Sequence, residues 1–385
     1  MKTNKFFIAL ALFAIVFSAC KKEEYPNDQD NNNTEKELKF TLEVIDNTGT
    51  GTLGLGYNCQ ILTDAEGTLH TVYTDRDNFT VKYAYKTSGG TWTISDIASN
   101  ASGSLSTLTI DNAGNLHVVY ETGSPENKLF HAIKTAGGST WTINPFGLTG
   151  YYLASTDTYM NMVCDSNNGL HLVAKNSGGD NYLLYFYKPE SGSWTMEIMD
   201  NRQGCGEQPS IAIKDNVIHV AYGDDGTNGK LFYATKTVGS DTWSKESVTS
   251  STAIYYTSIA INSLNEIRIV YRDYAGGYKC AIKSSGSWST ELIDETYGVT
   301  PGLDSDQDNI FYSSYSYDGG TGLKLAYKTS ESSWTKLMLD DTDGFNYVQY
   351  TDLFCSSNGH TYIVYQVANG GSGRNLLKLA DVYWE

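Results

Sequence analysis

Four histidines recur at similar intervals along the chain, and histidine is the side chain best suited to metal binding or acid–base catalysis near neutral pH. They are His70, His117, His171 and His219, and later copies of the same phrase carry Arg268, Tyr312 and Tyr362 at that place. A catalyst is needed once, whereas an architecture needs an equivalent residue in every copy. These residues share an apolar body and a polar tip that must find a hydrogen-bond partner when buried. We therefore interpret them as architectural, and we predict no metal and no cofactor.

Two further histidines break the pattern, but neither stands in a motif that defines a reaction. His131 takes the place of Tyr233 in its copy of a second repeated phrase, and His360 lies in a predicted hairpin turn. The chain contains no His-x-His, His-Glu-x-x-His or Gly-x-Ser-x-Gly sequence. We predict no catalytic residue, although a His and Tyr acid–base pair remains the alternative for these positions.

The tyrosine-rich segments between the repeated phrases are the candidates for ligand contacts. The chain has 29 tyrosines, and a tyrosine offers a flat apolar face and a hydroxyl at low entropic cost. Sugars present C–H faces and hydroxyls, so tyrosines beside Asp, Asn and Arg suit a glycan. The alternative is that these tyrosines pack the starts of the repeats. The candidates are Tyr151, Tyr152, Tyr159, Arg202, Glu207, Tyr255, Tyr256, Arg272, Asp273, Tyr297 and Tyr347.

The elements that position these residues follow from an internal repeat. The phrase Asp111–Tyr120 has seven copies, and the histidine position recurs every 44 to 54 residues. Each unit holds four short runs rich in Val, Ile, Tyr, Thr and Trp, separated by Gly, Asn, Asp and Ser, which is typical of strands and tight turns. Four antiparallel strands in a unit of this length indicate a propeller blade. The sequence therefore predicts an all-β, seven-bladed β-propeller over residues 38–385.

The two ends of this region complete one blade between them. The seventh unit stops after its third strand, Leu376–Val382, and Phe40–Asp46 aligns without a gap on the fourth strand Trp194–Asp200. We expect the first strand to pair with the last, which leaves no long free strand edge. In this alignment Phe40 takes the place of the blade tryptophan, and Trp384 is expected to stand outside the set of blade tryptophans.

The N-terminus has the features of an export signal. A basic start precedes the apolar run Phe6–Phe17, which is shorter than the roughly 20 residues that span a bilayer. Small residues and then Cys20 follow, an arrangement that resembles the lipobox of bacterial lipoproteins. The resemblance implies a signal peptide over residues 1–19 and acylation of Cys20. The polar segment over residues 20–37 is predicted to be a disordered tether.

Charge and location restrict the partners. The formal net charge is −17, which argues against nucleic acid as a ligand. Lys-Lys-Glu-Glu directly after Cys20 resembles the charged signal that sends some Gram-negative lipoproteins to the cell surface. We therefore expect a monomer held to the outer membrane or cell surface by its lipid. The five other cysteines are scattered, and we expect buried free thiols.

The turns before the recurring tryptophan resemble those of sialidase-like, BNR-repeat propellers. Thr87–Trp92 and Ala136–Trp141 keep the small residues and the tryptophan of the Asp-box of that family but lack its aspartate. The resemblance implies a propeller architecture. Sialidase activity in that family depends on a clamp of three arginines, and no arginine here stands in a Phe-Arg-Ile-Pro-like motif. The mature chain has five arginines, Arg76, Arg202, Arg268, Arg272 and Arg374.

Three functions remain open at this point. The first is binding of a glycan or a protein on one propeller face without catalysis. The second is a glycoside hydrolase or polysaccharide lyase, and the third is a structural scaffold for an envelope complex. An enzyme needs an acid and a base that converge in one pocket. We expect neither paired carboxylates nor a His–Tyr couple within reach of one another on the propeller axis.

Overall fold

The computed structural model describes most of the repeat region. The described residues are 36–49, 54–99, 105–122, 128–146, 153, 160–176, 182–224, 229–249, 254–274, 276–296, 298–317, 322–329, 333–342, 346–369 and 375–385. The compact unit that contains all described strands spans Leu38–Glu385. The described part of the chain has no helix that is long and apolar enough to cross a membrane.

Twenty-eight strands make up the described secondary structure. The first half comprises β1 (Leu38–Asp46), β2 (Leu55–Thr63), β3 (Leu69–Asp75), β4 (Thr80–Lys86), β5 (Thr93–Ser99), β6 (Ser106–Ile110), β7 (Leu116–Thr122), β8 (Lys128–Lys134), β9 (Thr142–Phe146), β10 (Met160–Cys164), β11 (Leu170–Lys175), β12 (Leu183–Lys188), β13 (Thr195–Asp200) and β14 (Cys205–Lys214). The second half comprises β15 (Val217–Asp224), β16 (Leu231–Thr237), β17 (Ser244–Ser247), β18 (Ile254–Ile261), β19 (Ile267–Asp273), β20 (Gly277–Ser284), β21 (Ser287–Asp294), β22 (Gly298–Ser305), β23 (Phe311–Tyr317), β24 (Gly322–Lys328), β25 (Thr335–Asp341), β26 (Asn346–Cys355), β27 (His360–Asn369) and β28 (Leu376–Trp384).

The strands form seven four-stranded antiparallel sheets, and each sheet is one blade. Blades 1 to 6 take four consecutive strands each, beginning with β2, β6, β10, β14, β18 and β22. Blade 7 has the order β1-β28-β27-β26. The predicted fold class, an all-β propeller of seven four-stranded blades, is confirmed.

The first strand of the chain lies beside the last. β1 pairs antiparallel with β28, with Leu38 opposite Trp384 and Phe40 opposite Val382. Glu43 of β1 lies opposite Leu379, as Glu197 of β13 lies opposite Tyr185. The ungapped alignment of Phe40–Asp46 on blade 3 therefore describes the same position in two blades.

The apolar core lies between neighbouring blades. One cluster joins Val72 and Tyr83 of blade 1 to Leu108 and Val118 of blade 2, and all four side chains are buried. Both faces of a blade are covered in this way, so the second strands are almost wholly buried. β3, for example, is buried at every residue. The sequences of such strands are continuous apolar or mixed runs. Both faces of the strand are buried, so apolar and polar residues do not alternate along it.

A contact among glutamate, lysine and tryptophan recurs at the outer side of the blade interfaces. Glu43 of blade 7 accepts hydrogen bonds from Lys86 Nζ at 2.7 Å and from Trp92 Nε1 at 2.9 Å, both in blade 1. Glu197 of blade 3 accepts the same two bonds from blade 4, from Lys236 Nζ and Trp243 Nε1 at 2.7 Å each. The recurring tryptophan therefore positions each blade against the one before it.

The tryptophan of blade 7 comes from an unexpected strand. Trp384, at the end of β28, donates from Nε1 to the Tyr312 hydroxyl at 2.7 Å and packs edge-on against Tyr327, both in blade 6. Phe40, which stands at the tryptophan position in the sequence, is 40% exposed. Trp384 thus lies at the end of a third strand and not at the position of the blade tryptophans before a fourth strand, as expected, but its contact with the preceding blade was not predicted. Strand β28 supplies this indole in place of β1, because Trp384 at the end of β28 lies opposite Leu38 at the start of β1.

Candidate functional site

The repeated histidines bond within their own blades. In blade 3, His171 Nδ1 lies 2.7 Å from the Tyr185 hydroxyl, and its Nε2 lies 3.0 Å from Asp165 in the turn between the first two strands. The same arrangement links His70 to Tyr83 and Asp64 in blade 1. Burial lowers the pKa of His171, so the imidazole remains neutral and acts as a hydrogen-bond bridge. These contacts agree with the architectural interpretation.

His131 and His360 also have local partners. His131 Nε2 lies 3.0 Å from His117 Nδ1, and Trp194 packs edge-on against the His131 ring. Burial lowers the pKa of His131 to about 3. His360 is partly exposed, and its Nδ1 lies 2.6 Å from Asp381. Neither histidine lines the cavity on the propeller axis.

A β-bulge recurs near the start of five first strands. In each, the ladder register shifts, and the residue at the shift is not glycine but has a positive φ. The five residues are Asn58, Gln208, Tyr256, Thr300 and Tyr350, with φ between 43° and 54°. The left-handed region is unfavourable for bulky and β-branched side chains. Such residues persist only where their surroundings hold them, and they concentrate at functional sites.

The backbone of three of these bulges has an architectural explanation. The carbonyl of Gln208 accepts a hydrogen bond from Thr257 Oγ1 of the next blade at 2.7 Å. The carbonyl of Thr300 accepts one from Thr351 Oγ1 at 2.6 Å, and that of Tyr350 accepts one from Cys59 Sγ at 2.9 Å. The left-handed backbone turns the carbonyl toward the neighbouring blade. It also places the side chain in the lining of the cavity on the propeller axis, at the end of that cavity that we call its entrance.

A cavity of about 470 Å³ runs along this axis, and the first strands of all seven blades line it. We call it the axial cavity. All five bulge residues belong to its lining, and they mark the end at which the first strands begin and the second strands end. We call this end the connector face, because the blade-to-blade connections enter there. The cavity volume is within the range of small-molecule sites.

Side chains in the cavity wall complete the hydrogen bonding of the first strands. The inner edge of a first strand has no neighbouring strand, so its N–H groups need other acceptors. Gln60 Oε1 accepts from Leu108 N at 2.7 Å, and Asn161 Oδ1 accepts from Ile211 N at 3.2 Å. Each of these amides therefore ties its blade to the next one along the axis.

Two carboxylates make the same kind of bond elsewhere in the wall. Asp352 Oδ2 accepts from Ile61 N at 2.9 Å, and Asp304 Oδ2 accepts from Cys355 N at 2.9 Å. Burial raises the pKa of Asp304 to about 6. Burial, together with the negative charge of Asp304, raises the pKa of Asp352 to about 7. The two carboxyl groups therefore influence each other's ionisation within the cavity wall. The expectation that no paired carboxylates lie within reach of one another on the axis stays a prediction.

An aromatic cluster lies at the entrance of the axial cavity, between blades 7 and 1. The rings of Tyr57 and Tyr350 have centroids 4.6 Å apart, and the Arg76 guanidinium lies 4.6 Å from the Tyr57 ring centroid. Tyr57 and Tyr350 are both partly exposed. This distance is within the range of a cation–π contact. Of these three residues, Tyr350 belongs to the lining of the axial cavity, and Tyr57 and Arg76 lie beside it.

The predicted site residues around β14 are largely engaged with their neighbours. Arg202 bonds to Asp200 at 2.7 Å, and its guanidinium lies 3.8 Å from the Phe232 ring centroid. Glu207 is buried, and its carboxylate pairs with Lys175 of blade 3. Glu207 therefore links two blades, whereas Arg202 remains partly exposed.

The predicted residues of blade 5 form a second aromatic cluster. The rings of Tyr255 and Tyr274 meet edge-on with centroids 5.1 Å apart, and the Arg272 guanidinium lies 4.2 Å from the Tyr274 ring centroid. Asp273 is fully buried and pairs with Lys279 at 2.8 Å. Tyr255 and Tyr274 thus lie where a ligand on the connector face could reach them, and Asp273 does not.

The remaining predicted residues differ in how much the structure describes. Tyr256 is a bulge residue and lines the axial cavity, and Tyr347 is 49% exposed near the start of β26. Cys20, Tyr151, Tyr152, Tyr159 and Tyr297 lie outside the described residues. The sequence analysis did not select Asp304, Asp352, Tyr57 or Tyr350 for the site. A comparison of the first strands could have found Asp352, because it occupies the repeat position of Gln60 and Asn161.

Thiols and metal ligands contribute little to this arrangement. Cys59, Cys164, Cys205, Cys280 and Cys355 are all free thiols. Among the described residues, no group of three or more His, Cys, Asp or Glu side chains lies close enough together to hold a metal ion. The chemistry that the axial cavity offers is therefore hydrogen bonding, aromatic contact and the charge of two carboxylates.

Fold and cavity together define a seven-bladed β-propeller with a ligand-sized axial cavity. Comparison of sequences adds no assignment, because no family model matches the chain and no curated protein matches it.

Solved structures share the fold at low sequence identity. A protein of unknown function from Dyadobacter fermentans has a TM-score of 0.52 and 11% identity over 89% of this chain and 99% of its own. The lectin of Aleuria aurantia, solved with α-methyl-L-fucoside, has a TM-score of 0.53 and 14% identity over 76% of this chain and 98% of its own. A polysaccharide lyase, an ulvan lyase bound to a fragment of GlcA and Rha3S, has a TM-score of 0.60 and 11% identity over 87% and 94%. At these identities the likeness concerns the fold alone.

Proposed function

We propose that this protein is an exported, lipid-anchored propeller that binds a glycan at the entrance of the axial cavity without cleaving it. The observation that carries the proposal is the set of left-handed bulges in five of the seven blades, which brings Tyr256 and Tyr350 into the cavity lining at that entrance. Structures with this fold include a lectin and a polysaccharide lyase, which supports a carbohydrate ligand.

The entrance has the surfaces that a sugar ring requires. Tyr256 and Tyr350 are partly exposed, so each offers an aromatic face for C–H groups and a hydroxyl for hydrogen bonding. Asn58 adds an amide at the equivalent place in blade 1. The bulge backbone is fixed by bonds between blades, which lowers the entropic cost of binding because the site is preorganised.

A glycan array with the purified full chain tests this proposal. Tyr256→Ala and Tyr350→Ala should each weaken binding of the best ligand at least tenfold, since truncation of a central aromatic contact costs about 1.4 kcal/mol or more. Tyr187→Ala is the matched control, because Tyr187 is also partly exposed but lies at the opposite end of its blade, opposite His171. The proposal fails if no glycan binds, or if all three variants bind like the wild type.

The anchor is a separate part of the proposal. Acyl chains contribute about 0.8 kcal/mol per buried CH₂, and two or more chains hold a protein durably to a membrane. Cys20→Ala should move the protein from the membrane fraction to the soluble fraction and abolish its labelling with palmitate. Wild-type protein that takes up no label would exclude acylation at Cys20, whatever the outcome of the glycan array.

Glycoside hydrolysis is the second candidate, and one observation favours it. Asp304 and Asp352 lie in the same cavity with pKa values raised to about 6 and about 7, and paired carboxyls of different pKa are the usual acid and base of glycosidases. Against this, both carboxylates already accept backbone N–H groups. Cleavage of a bound glycan that Asp352→Asn abolishes, with binding retained, would establish the hydrolase.

A further inference from the structure

The charge of the axial cavity is not required by the architecture. Gln60, Asn161 and Asp352 occupy the same repeat position, and each accepts a backbone N–H from the next blade. Two uncharged amides therefore perform in blades 1 and 3 the bond that a carboxylate performs in blade 7. An amide in place of Asp352 would keep the bond without the cost of burying a charge. The negative charge needs another explanation.

The described lining of the axial cavity offers no compensation for that charge. It contains Asp304 and Asp352 but no lysine, arginine or histidine among the described residues. Arginines of the connector face are engaged elsewhere, with Arg76 on Tyr57 and Arg202 on Asp200. Burial and mutual repulsion disfavour the charged form of both carboxyl groups, so a ligand that brings positive charge into this described wall would stabilise that form.

Two buried hydroxyls of the lining have no partner among the described residues. Thr300 Oγ1 and Ser106 Oγ make no hydrogen bond with the part of the chain that the structure describes, and their residues are only 9% and 3% exposed. Both residues line the axial cavity. A buried polar atom without a partner is costly, so these two hydroxyls are unused hydrogen-bonding capacity in the cavity wall, although each oxygen itself has almost no accessible surface.

We propose that the axial cavity takes an amino sugar in its protonated form, with the ammonium group held by Asp352 and Asp304 and the ring at the entrance tyrosines. This inference rests on the proposed glycan-binding function and names its ligand class. Each carboxylate has lone pairs beyond those used by backbone N–H groups, and charge-assisted bonds to an ammonium are stronger than neutral ones. Uronic acids and sulfated sugars are excluded by the same charge.

Binding of matched oligosaccharides tests the ligand class. Isothermal titration of the full chain would use gluco- and galacto-configured tetramers, each in the amino, N-acetylated and uronic acid forms. We expect the amino form to bind at least tenfold more tightly than the N-acetylated form and the uronic acid form not to bind. An equal or greater affinity for the uronic acid form would overturn the inference and leave glycan binding intact. Absence of binding by every tetramer and by every glycan of the array would refute the proposed function, and this inference with it.

Substitution of one carboxylate tests the mechanism. Asp352→Asn should abolish the preference for the amino form while keeping the N-acetylated form bound, because Asn161 shows that an asparagine serves the bond between blades. Asp96→Asn is the control, since Asp96 is largely exposed at the outer strand of blade 1.

Calcium chloride alone is a further probe. Calcium binding that depends on Asp352, without any preference for the amine, would overturn the inference in favour of a metal site.

Discussion

The Trp384 indole nitrogen lies 2.7 Å from the Tyr312 hydroxyl oxygen, across the interface between blades 7 and 6. In other blades the tryptophan before the fourth strand donates from this nitrogen to a glutamate of the preceding blade, as Trp243 does to Glu197. The last strand of the chain thus supplies the side chain that the first strand lacks.

Substitutions at Trp384 and Phe40 should show which of the two side chains holds blade 7 against blade 6. Trp384→Ala should lower the free energy of unfolding by about 2–3 kcal/mol, less than the 3–5 kcal/mol typical of buried aromatics because Trp384 is partly exposed. Phe40→Ala should cost less than about 1 kcal/mol, although Phe40 occupies the tryptophan position in the alignment. Urea unfolding followed by fluorescence and circular dichroism measures both. A larger loss for Phe40→Ala than for Trp384→Ala would contradict the assignment.

Glu43 should stabilise the protein at the place where the two ends of the chain meet in blade 7. Its carboxylate binds Lys86 and Trp92 of blade 1, and Glu43→Ala should cost about 1 kcal/mol, since partly exposed charged contacts are modest. Hydrogen exchange should be faster along β1 in this variant, because β1 is held in blade 7 by its pairing with β28 and has no chain connection to a neighbouring strand of its sheet. Glu197→Ala is the matched control, as it removes the same contact from β13, which is also an edge strand but follows β12 directly in the chain. An increase of exchange along β13 in Glu197→Ala as large as the increase along β1 in Glu43→Ala would count against a special role for the junction.

The buried carboxyl group of Glu121 should make the free energy of unfolding depend on pH. Glu121 is 2% exposed, its Oε1 has no hydrogen-bond partner among the described residues, and burial raises its pKa from 4.5 to about 8. Between these values the unfolded chain releases the proton while the folded protein keeps it, so stability falls as pH rises through this window. Glu121→Gln should therefore raise the free energy of unfolding at pH 8 by about 1–3 kcal/mol.

The same variant provides its own control at acid pH. At pH 4 Glu121 is mostly protonated in both states, so wild type and Glu121→Gln should unfold at nearly the same urea concentration. A stability difference that is the same at pH 4 and pH 8 would show that the carboxyl is not the cause.

The repeat made the blade count and strand order predictable from sequence. Each copy carries its own turn residues and apolar runs, so seven weak signals reinforce one another, and the alignment of Phe40–Asp46 placed β1 correctly beside β28. The contact of Trp384 with blade 6 was not predicted, because strand pairing, which depends on both strands, decides which side chain reaches that blade.

The site was less predictable for two physical reasons. A β-bulge adds one residue to a strand without a consistent sequence signature, so the left-handed Tyr256 and Tyr350 could not be told from ordinary strand residues. Glu207 and Asp273 form buried ion pairs with Lys175 and Lys279, so neither acid is available at the surface. The two lysines lie in other strands, and the sequence around each acid does not indicate the pairing. Charge and aromatic content alone do not specify which residues face a ligand.

The location of the ligand is the central claim, and hydrogen exchange with and without the tightest glycan of the array tests it most directly. We predict slower exchange in the bound state at the five bulges, Asn58, Gln208, Tyr256, Thr300 and Tyr350, which line the entrance of the axial cavity from blades 1, 4, 5, 6 and 7. Protection confined to the opposite ends of the first strands, such as the turn at Asp64–Thr68, would contradict the account.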